Sequence, residues 1–222
     1  SKDLPSVEAL RDYRPPVVTQ IYASDGKLVG EVYEKQRYVV PYSTIPDHMV
    51  YAFVAAEDAE FFQHHGIDYM GIIRAMIRNI EAGEFSQGAS TITQQVARSF
   101  LLTREKKISR KIKEAILAYR IEANFSKEYI LYLYLNQIFL GHGAYGVDAA
   151  AQLYFGKNVE DLDLAESALI AGLPQAPSNY SPNNSYSSAK ARQRYVLDQM
   201  AANEFITQEE ADAAYDQKLH FV

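Results

Sequence analysis

At Ile45-Pro46-Asp47 the chain changes its period, and that change limits the fold more than any other feature. Before it, VVTQIYA (17–23), KLVGEVY (27–33) and QRYVVPY (36–42) carry the short, β-branched, turn-bounded runs of strands, with Ser24-Asp25-Gly26 as a hairpin signal. After it, apolar residues recur at helical spacing almost to the C-terminus. DHMVYAFVAAED places Val50, Phe53 and Val54 on one face, with Asp47 expected to cap the helix behind Pro46. Further helices are predicted over 68–82 (ending near Gly83), from Gly88–Thr91 onward, over 104–124, 126–139, 148–156, 163–173, 187–205 and 207–217. Thr207 with Glu210 forms a capping box in that last helix. The Pro/Ser/Asn-rich stretch at 174–187 reads as a surface loop. The expectation is a mainly α protein, with residues 1–45 a β-containing N-terminal extension and 46–222 one helical domain.

Composition narrows the classes. With 222 residues, 48% of them apolar, a large core can form. A net charge of −6 argues against bulk nucleic-acid binding. No cysteine is present, which removes disulfides and thiolate metal sites. No run of 18 or more apolar residues occurs and no signal pattern opens the chain, so it is expected to be soluble, with any membrane anchor outside these residues.

Four stretches concentrate chemistry. EDAEFFQHHG (57–66) sets Glu57 and Asp58 at the end of an apolar helix beside Phe61 and Phe62. Desolvation there raises a carboxyl pKa towards the range useful for proton transfer. The plainer alternative has Asp58 and His64 fastening a loop while Glu57 is solvated. His64 and His65 are adjacent and diverge, with no metal-ligand spacing around them, so no metal site is assigned.

SQGASTITQQVARSF (86–100) opens a helix with Ser90 and Thr91, where free N–H groups suit an anion; Gln94 and Arg98, four apart, are expected to extend its polar face. An ordinary N-cap explains Ser90 or Thr91 alone. Residues 104–113 then hold six cations, Arg104, Lys106, Lys107, Arg110, Lys111 and Lys113, with Glu114 able to share a face with Arg110 and Lys111. A solvated, ion-paired helix is the bland alternative. The apolar step Phe100-Leu101-Leu102 just before it suits a membrane interface. In ILYLYLNQIFLGHGAYG (130–146) the stripe Leu131, Tyr134, Leu135 and Ile138 reads as core, Asn136 and Gln137 need partners, and Gly141, Gly143 and Gly146 mark a sharp bend.

In order and spacing, E-D-x-x-F-F-x-H-x-G, Q-G-A-S-T-I-T-Q-Q, R-K-I-K-E and I-L-x-x-Y-L-N-Q-I-F-L-G resemble the peptidoglycan glycosyltransferase domain of family 51, the polymerising module of class A penicillin-binding proteins, across about residues 46–205. The resemblance implies a lysozyme-like helical fold with a membrane-facing jaw, acting at the outer face of the bacterial cytoplasmic membrane. The implied substrates are lipid II and the growing glycan chain, joined by β-1,4 linkage with inversion and release of undecaprenyl pyrophosphate. Glu57 then matches the catalytic base and Glu114 the second functional carboxylate. Ser90, Thr91, Gln94, Gln95, Arg98, Lys106, Arg110 and Lys111 match positions that hold the pyrophosphate, its sugars or the inhibitor moenomycin. Asp58, Phe61, His64 and Gly66 match positions that shape the pocket. No cofactor is required by the resemblance, Mg²⁺ or Mn²⁺ being an admissible aid, and a transpeptidase domain is the expected covalent neighbour. Three positions depart from the family's usual pattern: Arg98-Ser99 stands for Lys-Asn, and Tyr132 for Glu. The competing readings are a lytic lysozyme-like enzyme, whose Glu-Ser pair Glu166-Ser167 superficially resembles, and a non-catalytic module that binds lipid II. A helix cap at the surface is the expected place of Glu166.

Overall fold

In the computed structural model, residues 4–13, 19–22, 28–32, 36–82, 90–102 and 107–222 are described. The Ser24–Gly26 turn, Gly83, Gly88, Arg104 and Lys106 lie outside them. The protein is mainly α: α1 (Asp47–Glu57), α2 (Tyr69–Ala82), α3 (Ile92–Leu101), α4 (Lys107–Asn124), α5 (Lys127–Gln137), α6 (Val147–Phe155), α7 (Leu164–Ala171), α8 (Pro177–Tyr180), α9 (Tyr186–Ala202) and α10 (Gln208–Asp216).

The core forms around α1. Met49, Ala52, Phe53 and Val54 are fully buried, so this helix is apolar on nearly every side. It packs on α7 and α9, while α3 packs on α4 and α5. Each large side chain enclosed this way contributes roughly 1.5–3 kcal/mol. Local signals set the ends. Thr207 and Glu210 close the expected capping box on α10, and Asp163 with Glu166 closes another on α7. Asp47 is not a cap: Pro46 takes the N-cap position without a side-chain hydrogen bond, and Asp47 is the first helical residue, where its charge meets the helix dipole. The stretch after Leu173 also departs from a plain loop, because Pro174 and Pro177 each open a short helical turn, Leu173–Gln175 and α8. Proline excludes helix continuation, yet its fixed φ favours helix initiation.

The N-terminal segment is tied to the helical body. β1 (Thr19–Tyr22) and β2 (Leu28–Val32) pair antiparallel, whereas β3 (Gln36–Arg37) pairs in parallel with β4 (Ala144–Tyr145). Val7 and Leu10, on a 3₁₀ turn, belong to the same buried cluster as α1. Asn136 fixes the crossing. Fully buried on α5, it accepts from the Val40 N–H (2.9 Å) and donates to the Val40 and Tyr132 carbonyls (3.0 Å each). Gly146 (φ +89°) then brings the chain so close to Asn136 that a Cβ would stand 2.8 Å from its carbonyl oxygen.

Replacing Asn136 by alanine strands two buried backbone groups and is expected to destabilise the protein by about 2–4 kcal/mol in denaturant unfolding. A loss below about 0.5 kcal/mol, the ordinary range for surface changes, would show that the crossing does not depend on this amide.

Candidate active site

A cleft of about 560 Å³ runs along the end of α1, bounded by Glu57 to Glu60, by Asp68, Ile72 and Arg74 at the start of α2, by Ser90 and Thr91, and by Tyr195 and Gln199 of α9 with its C-cap residue Asn203. Glu57 is the last residue of α1, part-buried because the apolar helix delivers it to the cleft from the core side. Burial is the largest influence on its carboxyl and raises the pKa above the ordinary glutamate value. A hydrogen bond from Gln95 Nε2 (3.3 Å) opposes this, as do the charges of Arg192 and Arg98.

Asp58, next in sequence, is turned the other way and is only 6% exposed. Its carboxylate accepts from His64 Nε2 (2.9 Å) and from the Ile92 N–H (2.9 Å). The Gly66 N–H donates to His64 Nδ1 (3.1 Å), so Nδ1 is the acceptor and Nε2 carries the proton given to Asp58. Both His64 nitrogens are therefore used in fastening the loop, in agreement with the plainer reading of this pair. Phe61 is fully buried under the Lys127 ammonium, 4.4 Å above its ring. Gly66 (φ +95°) lies on the backbone of α4, where a Cβ would meet the Ala118 carbonyl at 2.8 Å.

The start of α3 departs from its expected role. Three of its N–H groups already have partners within the protein. The Ile92 N–H is held by Asp58, the Gln94 N–H by Thr91 Oγ1 (3.1 Å) and the Thr91 N–H by Gln94 Oε1 (2.9 Å), a capping box. Thr91 Oγ1 in turn donates to the Gly66 carbonyl (2.7 Å). Thr91 and Gln94 are buried by these bonds, so Gln94 does not extend a polar face with the part-buried Arg98. Gln95, one residue on, is the glutamine that reaches Glu57.

Cationic groups come from α4 instead. Glu114 is fully buried and holds Lys111 Nζ at 3.0 Å and Arg110 Nε at 3.4 Å, as ion pairs rather than aligned hydrogen bonds. Lys111 also donates to Ser90 Oγ, which joins the cleft rim to α4. Half of the Lys111 side chain and 31% of that of Arg110 remain accessible, so Glu114 anchors two cations while leaving their outer faces to a ligand. Lys106 lies outside the described residues. Phe100, Leu101 and Leu102 are part-buried against the core. The exposed apolar surface is elsewhere, at Tyr69, Met70, Ile73 and Ile77 of α2 and Ile112, Ile116 and Tyr119 of α4. Among the described residues no helix is long and apolar enough to cross a membrane.

Glu166 is buried rather than at the surface. It closes the α7 capping box and pairs with Lys157 (2.6 Å), away from the cleft, which leaves the Glu-Ser pair a structural explanation. The α9 wall was not legible as a site from the sequence. Tyr195, Gln199 and Asn203 recur every four residues on one stripe, but the same helix supplies core residues Val196, Leu197 and Met200, and that signal dominates.

Residues 25–201 match the Transglycosylase family, and the chain belongs to it. It is similar to penicillin-binding protein 1A of Rickettsia felis (51% identical, over 97% of this chain and 28% of the relative) and of Neisseria lactamica (47%, over 98% and 27%). It also resembles the crystal structure of penicillin-binding protein 1A from Haemophilus influenzae, at 31% identity and a TM-score of 0.51, covering 92% of this chain and 21% of that one. The chain thus spans little more than a quarter of the length of these curated relatives.

Because the folded state raises the Glu57 pKa, it binds more protons than the unfolded chain between the ordinary and the raised values, and stability falls as pH rises through that window. Glu57→Gln removes this penalty. The variant is expected to unfold at higher temperature than the parent at neutral pH, with the difference vanishing below the ordinary glutamate pKa. An equal difference at both pH values would contradict a desolvated Glu57.

Proposed function

We propose that the chain is a peptidoglycan glycosyltransferase that polymerises lipid II into β-1,4 glycan. The observation that carries this reading is a desolvated carboxylate, Glu57, in a cleft whose rim residue Ser90 accepts a hydrogen bond from Lys111, one of the two cations anchored on α4 by Glu114. Glu57 takes the proton from the incoming 4-hydroxyl. The oxygen attacks the donor's anomeric carbon as the carbon–oxygen bond to pyrophosphate breaks, with both electrons leaving on the pyrophosphate. One displacement turns an α-linked donor into a β-linked product, and protonated Glu57 returns its proton to solvent. Arg110, Lys111 and Arg98, with Ser90, face the charge that grows on the leaving group, while Glu114 keeps the first two in place. Arg98 brings a planar fork where the family usually has lysine, which suits two phosphate oxygens at once.

This reading requires no cofactor. An assisting Mg²⁺ or Mn²⁺ is expected to arrive with the pyrophosphate, whose oxygens suit such hard cations. Moenomycin is expected to compete at the α4 cations. The exposed apolar faces of α2 and α4 support docking at the outer surface of the cytoplasmic membrane beside the lipid tail. A transpeptidase domain on the parent chain is supported by relatives that extend far beyond the matched segment.

Glu57→Gln is expected to lower lipid II polymerisation by roughly a hundredfold to ten-thousandfold while retaining substrate binding. Near-normal turnover in this variant would remove Glu57 as the base. Arg110→Ala with Lys111→Ala is expected to weaken moenomycin binding by about a hundredfold, the scale of two charge-assisted contacts. An unchanged affinity would place the pyrophosphate elsewhere.

A further inference from the structure

The two sides of the cleft differ in chemistry. One part of the lining holds Arg74 of α2, paired with the Asp68 carboxylate (3.4 Å), and Ser90, which accepts a hydrogen bond from Lys111 of α4. On the other, α9 offers Tyr195, Gln199 and Asn203, an aromatic ring and two carboxamides with no ionisable acid or amine. This wall is rigid, because the opposite face of α9 buries Gln193, Val196, Leu197 and Met200 and packs on α1 and α7. It is also oriented. The Arg192 guanidinium lies 4.2 Å from the Tyr195 ring centre and 5.6 Å from that of Tyr180, while its Nε donates to the Gly172 carbonyl (3.3 Å). Arg192 thereby steadies the Tyr195 ring, 41% of which is exposed. Asn203, the C-cap residue of α9, donates a side-chain amide N–H to the Gln199 carbonyl (2.8 Å) and lines the cleft.

A flat ring beside carboxamides, in a cleft whose Ser90 rim is bonded to a lysine of α4, fits the neutral part of a two-part substrate. We infer that the Tyr195–Gln199–Asn203 stripe is the subsite for the neutral N-acetylated sugar whose hydroxyl is handed to Glu57. The pyranose C–H face rests on Tyr195, and the N-acetyl and hydroxyl groups meet the carboxamides of Gln199 and Asn203. This rests on the polymerase reading of the cleft and adds a division of labour: α4 recognises charge, and α9 recognises sugar. Glu57 shares the cleft with the Tyr195–Gln199–Asn203 stripe, and Arg192, which steadies the sugar platform, also lowers the Glu57 pKa by its charge.

Two soluble probes separate the halves: a neutral β-1,4-linked N-acetylglucosamine tetrasaccharide and inorganic pyrophosphate, each titrated into the chain and followed by NMR. Tyr195→Ala is expected to weaken tetrasaccharide binding about tenfold, to leave pyrophosphate affinity within about twofold, and to raise the KM for glycan extension more than it lowers kcat. Tyr195→Phe, which keeps the ring, should bind like the parent, and Gln199→Ala should lose tetrasaccharide affinity alone. No tetrasaccharide binding by the parent, unchanged binding in both alanine variants, or equal loss of both probes in Tyr195→Ala would each overturn the sugar subsite. Parent-chain binding that depends on Tyr195, with no polymer formed from lipid II, would instead overturn the polymerase reading and leave the subsite standing.

Discussion

The buried carboxylate of Asp58 is the interaction on which the site depends. It is the C-cap residue of α1, and it accepts from the first N–H of α3 and from His64 of the intervening loop. One anion thus joins three segments that the chain brings together over 34 residues. Removing one partner of such a buried, charge-assisted set costs about 3–5 kcal/mol, because the other groups are left desolvated. With Asp58 held inward, its neighbour Glu57 is directed into the cleft. The two carboxylates differ because their surroundings differ: one accepts from His64 and from the first N–H of α3, the other is desolvated and held by a single side-chain amide.

The same network accounts for how the cations are arrayed. Gly66 is bonded to His64 through its N–H and to Thr91 through its carbonyl, and lies against the backbone of α4. α4 is thereby set beside α3, and Glu114, without any exposed surface, gathers Arg110 and Lys111 at the rim. An electrostatic surface fixed in this way needs little rearrangement when charge develops on a leaving group. The polar groups divide into those that face inward to hold the loop and those that face the cleft.

Much of this was legible in the sequence, and the parts that were not share a physical cause. The apolar run of α1 followed directly by Glu57 signals a desolvated carboxyl, and Asn136 inside an apolar stripe signals a satisfied amide; both depend on near neighbours. The donors at the start of α3 were legible, but not that Asp58 would occupy one of them, since sequence shows a helix end without its distant acceptor. Gln94 and Gln95 are indistinguishable as text. Geometry separates them, because the third helical position reaches back to the cap and the fourth points at Glu57. The β3–β4 pairing links residues about a hundred positions apart and left no local signal. The cleft face of α9 was hidden by its own core face.

Taken together, one helix end presents a desolvated carboxylate, a second helix presents two cations paired with a buried glutamate, and a third presents a neutral wall. The central claim, that this cleft transfers a sugar from a pyrophosphate carrier, is tested most directly by incubating the chain with labelled lipid II, with and without moenomycin. The account predicts a glycan polymer that forms with the parent chain and disappears when moenomycin is added. Shortening of preformed glycan, or lipid II bound with no product, would contradict it.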